Sequence, residues 1–164
     1  MGAFDDVLAS NESYAAQFVD TGLPGQARKG LAVVTCMDSR IDPLRMLGLQ
    51  PGEAKILRNA GGRVTDDVLR TLVLATHLLG VHRVLVVEHT DCKMASATDE
   101  DVHRTIYEAS GIDTRSLVFQ TMDDQMSTLA HDVQRVRSSP YLPEGTVVGG
   151  FLYDVRTGRL KEIA

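Results

Sequence analysis

The stretch Val33-Val34-Thr35-Cys36-Met37-Asp38-Ser39-Arg40 is an apolar run that ends abruptly in a thiol, a carboxylate and a guanidinium at alternating positions. An unbroken apolar run suits a central parallel strand buried on both faces, and Leu31 to Thr35 reads as one. A counterpart follows at Val86-Val87-Glu88-His89-Thr90-Asp91-Cys92, where the strand Arg83 to Glu88 runs into His-x-x-Cys. In open sheets of parallel strands, sites form beyond the carboxyl ends. If these two ends meet, Cys36, His89 and Cys92 come together as a zinc set, with Asp38 and Arg40 beside it.

The residues between and around these strands read as alternating helices and strands. Asp42 caps a short helix with Pro43 at its first position, and Gly48 stops it. Ala54 to Asn59 is a second strand, followed by Ala60-Gly61-Gly62-Arg63. Paired glycines permit close approach of a ligand or of another chain, so Gly61 is a candidate substrate contact. The pattern is neither a dinucleotide fingerprint nor a P-loop. Thr65 caps a helix with a broad apolar face, Val68, Leu69, Leu72, Val73, Thr76 and Leu79, that stops at Gly80. Helices are expected from Thr98 to about Ser110 and from Asp123 to Ser138. Strands follow at Thr146 to Val155 and Arg159 to Ile163, joined by the turn Thr157-Gly158. This order predicts an α/β fold: a mostly parallel central β-sheet flanked by helices, with an antiparallel C-terminal strand.

Residues 1–164 are expected to form a single domain, with 1–25 as an N-terminal helical arm. Phe4 to Val19 has helical spacing of apolar residues, with Asn11-Glu12-Ser13 as a break and restart. The arm would lie across the domain or across a partner subunit. Hydrophobic content of 43% and charged content of 24% are those of a globular protein. A net charge of -5 and the lack of a basic cluster argue against nucleic acid as a partner. The first twenty residues have neither a basic n-region nor an apolar h-region. The most apolar window, Val68 to Val87, is interrupted by Arg70, His77, His82 and Arg83, so no membrane span is expected. A cytoplasmic protein follows, in which two cysteines near polar groups are better read as ligands than as a disulfide.

Zinc favours thiolate and imidazole, and catalytic sites commonly keep three protein ligands and one open position. Cys36, His89 and Cys92 make such a set; a closed site would take Asp38 or another residue as fourth ligand. Two thiolates neutralise the ion, so water bound there would be acidified less than at a three-histidine site. A carboxylate accepting that water's hydrogen bond would orient it, and a guanidinium two residues on would hold the carboxylate ionised. Without the ligands, Asp38–Arg40 would be an ion pair of small worth at a helix entry.

Cys36-Met37-Asp38-Ser39-Arg40, then Arg58-Asn59-Ala60-Gly61, then His89-Thr90-Asp91-Cys92 resemble, in order and separation, the motifs of β-class carbonic anhydrases. The resemblance is strong over residues 30–95 and continues through the rest of the chain by layout, as in the compact bacterial-type branch. It implies zinc on Cys36, His89 and Cys92, an Asp38–Arg40 dyad, and the reversible hydration of carbon dioxide to bicarbonate and a proton. It also implies a homodimer or homotetramer with the site near the subunit interface, which would give the arm its partner. Lys93 departs from the glycine often found after the last cysteine, and its side chain is expected to face solvent. His77, His82, His103 and His131 are expected in surface or core roles. Two alternatives share the ligands. One is hydrolysis of carbonyl sulfide or carbon disulfide; the other is a non-enzymatic zinc protein whose shell Asp38 closes.

Overall fold

The computed structural model of the chain describes residues 2–164. Five strands form one sheet: β1 (Leu31–Cys36), β2 (Ala54–Asn59), β3 (Arg83–His89), β4 (Val147–Tyr153) and β5 (Leu160–Glu162), in the spatial order β2-β1-β3-β4-β5. The first four are parallel to their neighbours, and β5 returns antiparallel to β4. The predicted fold class is the one observed. From β1 the chain crosses to β2 on one side, then back over to β3 on the other. The carboxyl ends of β1 and β3 therefore flank the point where connections diverge, which leaves a crevice in sheets of this kind.

All six residues of β1 are buried, which accounts for its lack of alternation. Side chains of a strand alternate between faces, and two clusters result. Ala32, Val34, Val84 and Val86 pack against Val68, Leu72 and Ala75 of α3 (Asp66–Leu78) and Leu129, Val133 and Val136 of α5 (Gln125–Arg137). Leu31, Val33 and Val87 pack on the other face with Leu49, Leu44 and Met46, the last two from α2 (Pro43–Met46).

Helix ends follow the capping chemistry read from the sequence. Asp42 accepts from Arg45 N–H, and Thr65 accepts from Val68 N–H. Thr98 and Asp101 form a reciprocal capping box at the start of α4 (Asp99–Ser110). The N-terminal arm holds one helix, α1 (Asp5–Ala15), that runs through Asn11-Glu12-Ser13 without the expected break. None of its residues is buried. Among the described residues, no helix is long and apolar enough to cross a membrane.

The glycine pair forms a short 3-10 turn, Ala60–Gly62, at the end of β2. Gly62 has φ 70°, and a Cβ there would stand 3.0 Å from Cys36 N, 3.0 Å from Thr35 C and 3.1 Å from Val87 O. The turn is thus pressed against the backbone of β1 and β3 beside the site. Gly62→Ala meets both a left-handed backbone and immovable main-chain atoms. It should destabilise the fold by about 1–3 kcal/mol, read from urea unfolding, with metal affinity lowered in parallel.

Candidate metal centre

Cys36 closes β1 and His89 closes β3; Cys92 follows after a tight turn and precedes a 3-10 turn, Lys93–Ala95. One ligand atom from each of the three lies within 4.8 Å of the others. All three residues are buried, and both thiols are free. The parallel strands bring them together as the sequence predicted, since Thr35 pairs with Val87 and each ligand lies just beyond that pair. Thr35 Oγ1 donates to Val87 O at 2.9 Å and ties the strand ends across the ladder.

The imidazole is fixed in one tautomer. Its Nδ1 lies 2.8 Å from Thr90 O, so Nδ1 carries the proton and Nε2 is the free lone pair. Nε2 is buried and has no hydrogen-bond partner. A buried, unpartnered nitrogen beside two thiols is what a metal ligand set requires.

The sulfurs behave as a coupled pair. A hydrogen bond from Cys92 pulls the pKa of Cys36 down, helped by His89 and by the N–H groups of Asp38 and Gly61, while burial opposes it. Cys92 is pushed up by its bond to the Cys36 sulfur and by burial. A metal ion bound there would require both sulfurs as thiolates. Burial opposes a charged His89, but its contact with Cys36 and the Thr90 carbonyl raise its pKa overall.

Asp38 stands at the rim. Arg40 grips it twice, Nε to Oδ1 at 3.0 Å and Nη2 to Oδ2 at 2.8 Å. The guanidinium and the Arg40 N–H hold the carboxylate well below the usual range. Asp38 Oδ2 is 3.9 Å from His89 Nε2, so the carboxylate faces the metal position. Arg40 continues across the crevice, donating through Nη1 to Asp91 Oδ2 at 2.7 Å and through Nη2 to Asp91 O at 3.0 Å. The open mouth is a cavity of about 480 Å³ lined by Asp38, Arg40, Asp91, Cys92, Lys93 and Gln125, among others. Lys93 is exposed there, as expected.

Gly61 is buried and has φ 79°; a Cβ there would lie 3.2 Å from Met94 Cβ and 3.3 Å from Met122 Cε. Its N–H is among the groups that pull the Cys36 thiol down. Met122 and Ile41 form an apolar wall with the two cysteines, extended by Met46, Met94 and Tyr153.

The roles of several supporting residues escaped sequence reasoning, Arg58 having been quoted only within a motif. Arg58 donates to Cys36 O at 2.9 Å and to Asp38 O at 2.7 Å, pinning the turn that carries the dyad. Gln125 of α5 donates to His89 O at 3.0 Å. Glu88 points away from His89, toward α5, fully buried with neither carboxylate oxygen hydrogen-bonded. Burial and then the nearby Asp132 push it up to about 8, against the pull of Arg63. Asp132 itself is paired with Arg63 at 2.8 Å and accepts from Val64 N–H at 2.9 Å. Only the charged residue inside an apolar strand run hinted at Glu88; the others depend on long-range contacts.

The carbonic anhydrase family model matches residues 31–160. β-Carbonic anhydrase 1 of Mycobacterium tuberculosis (strain ATCC 25618 / H37Rv) is 39% identical over 163 residues, 99% of each chain. The chain belongs to the β-carbonic anhydrase family. The crystal structure of the carbonic anhydrase from Streptococcus mutans superposes with a TM-score of 0.92 at 36% identity, covering 100% of this chain and 99% of that one. A carbon disulfide hydrolase of Acidianus sp. (strain A1-3) is 32% identical over 184 residues, covering 96% of this chain and 87% of its own. The family resemblance of the three motifs thus extends over the whole chain.

Two outcomes test this geometry. His89→Ala and Cys36→Ser should each reduce bound metal from one ion per chain to none, measured by elemental analysis after gel filtration. Glu88 tests the buried acid. A folded pKa of about 8, above the ordinary 4.5, means that its neutral form stabilises the fold below about pH 4.5 and that this is lost as pH rises through about 8. Glu88→Gln should therefore match the parent protein near pH 5 and exceed it near pH 8.5 by on the order of 2–4 kcal/mol in metal-free denaturant unfolding.

Proposed function

We propose that the protein catalyses the reversible hydration of carbon dioxide to bicarbonate and a proton, at a zinc ion held by Cys36, His89 and Cys92. The observation that carries this reading is the Asp38 carboxylate, gripped by Arg40 and turned toward the free Nε2 of His89. Zinc held by Cys36, His89 and Cys92 would supply Lewis acidity and lower the pKa of a bound water. Asp38, kept ionised by Arg40, can only accept a hydrogen bond. It would therefore orient a reacting water or hydroxide so that a lone pair faces carbon dioxide. The wall of Ile41, Met94 and Met122 offers an apolar side suited to that substrate. The open mouth would give an anion a path into solvent. Gly61, without a side chain, would meet substrate only through its backbone.

A second reading, hydrolysis of carbon disulfide or carbonyl sulfide at the same ligands, is favoured by the likeness to the Acidianus hydrolase. Rates on the two gases measured side by side separate it. In this reading the enzyme is cytoplasmic, where two free thiols stay reduced for metal. We read residues 1–164 as one domain that assembles as a homodimer or homotetramer, with the 1–25 arm lying on a second copy. The support is the exposure of Phe4, Val7, Leu8, Tyr14 and Phe18.

Stopped-flow carbon dioxide hydration by the zinc-loaded protein tests the proposal. Turnover should be fast near pH 8.5 and fall about 100-fold or more in Asp38→Asn, with zinc content unchanged. Undiminished turnover in Asp38→Asn would remove Asp38 from the mechanism. A zinc-loaded parent protein without turnover would move the assignment to a sulfur-containing substrate or a binding role.

A further inference from the structure

Asp91 lies between two ligands yet takes no part in the ligand cluster. Its side chain points back across the crevice to Arg40, and it holds φ 57°, a left-handed conformation adopted mostly by glycine, asparagine and aspartate. The guanidinium is thereby fixed from two sides. Asp38 occupies Nε and one face of Nη2; the Asp91 carboxylate occupies Nη1, and the Asp91 carbonyl occupies the rest of Nη2. One side of this clamp belongs to the end of β1 and the other to the loop after β3. Asp38 and Arg40 are only two residues apart, so by themselves they could swing together as a unit. Asp91 is the contact that ties that unit to the opposite strand end.

We propose that Asp91 is a positioning residue for the reaction, holding the Asp38–Arg40 pair at a fixed distance from the metal position. The inference rests on the hydratase reading for its kinetic consequence, whereas the clamp itself is a property of the fold. The left-handed turn at Asp91 is what aims both its carboxylate and its carbonyl at one guanidinium. Bidentate geometry is specific in direction, and a reacting group displaced by about 1 Å can lose about 100-fold in rate. Asp91 acts one contact away from the reacting atoms, so a smaller loss is expected.

Asp91→Gly keeps the φ and removes the carboxylate; Asp91→Asn keeps an acceptor and tolerates the same φ. In the zinc-loaded protein, kcat for carbon dioxide hydration should fall about tenfold in Asp91→Gly and about threefold in Asp91→Asn, with KM and zinc content unchanged. In an Arg40→Gln background, Asp91→Gly should add no further loss, because the group it positions is gone. A direct readout needs no turnover. The side-chain N–H signals of Arg40 in nitrogen-15 NMR should be resolved in the parent protein and averaged by rotation in Asp91→Gly, while those of Arg58 stay as they were. Full kcat in Asp91→Gly, or losses that multiply with Arg40→Gln, would overturn the positioning role. Arg40 signals unchanged by Asp91→Gly would overturn the clamp itself. If the parent protein hydrates no carbon dioxide, the hydratase reading fails while the NMR comparison still decides the clamp.

Discussion

The pairing of β1 with β3 is the constraint on which the site depends. Thr35 lies opposite Val87, and the two strands then end within two residues of each other. Parallel register has a strict consequence, because side chains alternate between faces along a strand. Slipping β3 by one residue would exchange Glu88 and His89. The imidazole would then turn toward α5, and an unpaired carboxyl would turn toward the cysteines. The register is secured by burial on both faces: Val84 and Val86 are covered by α3 and α5, and Val87 is buried on the other side. Hydrophobic packing far from the site therefore decides which atoms meet in it.

With the strand ends fixed, the remaining difficulty is electrostatic. Two thiols, an imidazole and a carboxylate converge where peptide carbonyls also lose their ladder partners. Arginines solve much of this. Arg58 takes the carbonyls of Cys36 and Asp38, and Arg40 takes both carboxylates of the rim. Beneath the site, Arg63 neutralises Asp132, which in turn caps the Val64 N–H. Glu88 is left without a hydrogen-bond partner, and it responds by holding its proton. A neutral acid next in sequence to a ligand adds no negative charge to a centre that already contains two sulfurs.

Much of this was legible in the sequence because the informative features are local. Unbroken apolar runs marked β1 and β3, caps at Asp42, Thr65 and Thr98 marked helix starts, and Cys36 and His-x-x-Cys stood at strand ends. The continuous helix α1 was less legible, since Asn11 and Ser13 favour breaks but Ser13 instead bonds back to Ala9 O. The supporting shell lay out of reach for a different reason. Gln125 meets His89, and Arg63 meets Asp132, across sequence separations of 36 and 69 residues. No spacing rule connects such pairs; they meet because α5 is laid over β3 and β4. Asp91 was quoted only as part of a motif, and its part in the clamp comes from a left-handed backbone that composition does not announce.

Helix α1 raises the last physical question. An isolated helix shorter than about 12–15 residues is marginal in water, and packing of an apolar face usually stabilises it. The 11 residues of α1 bury none of their number, and no side chain caps the helix start. Phe4, Leu8 and Tyr14 are 61–72% exposed, and Phe18 just beyond the helix is 58% exposed. Scattered apolar side chains on a surface are ordinary, but every residue of α1 is exposed, so the helix has no packed face within one chain. Tyr14 and Phe18 do stack, with ring centroids 5.6 Å apart, which orders the end of the arm without covering it. A surface outside this chain would supply the missing cover. That requirement is the physical reason to read the arm as part of an assembly.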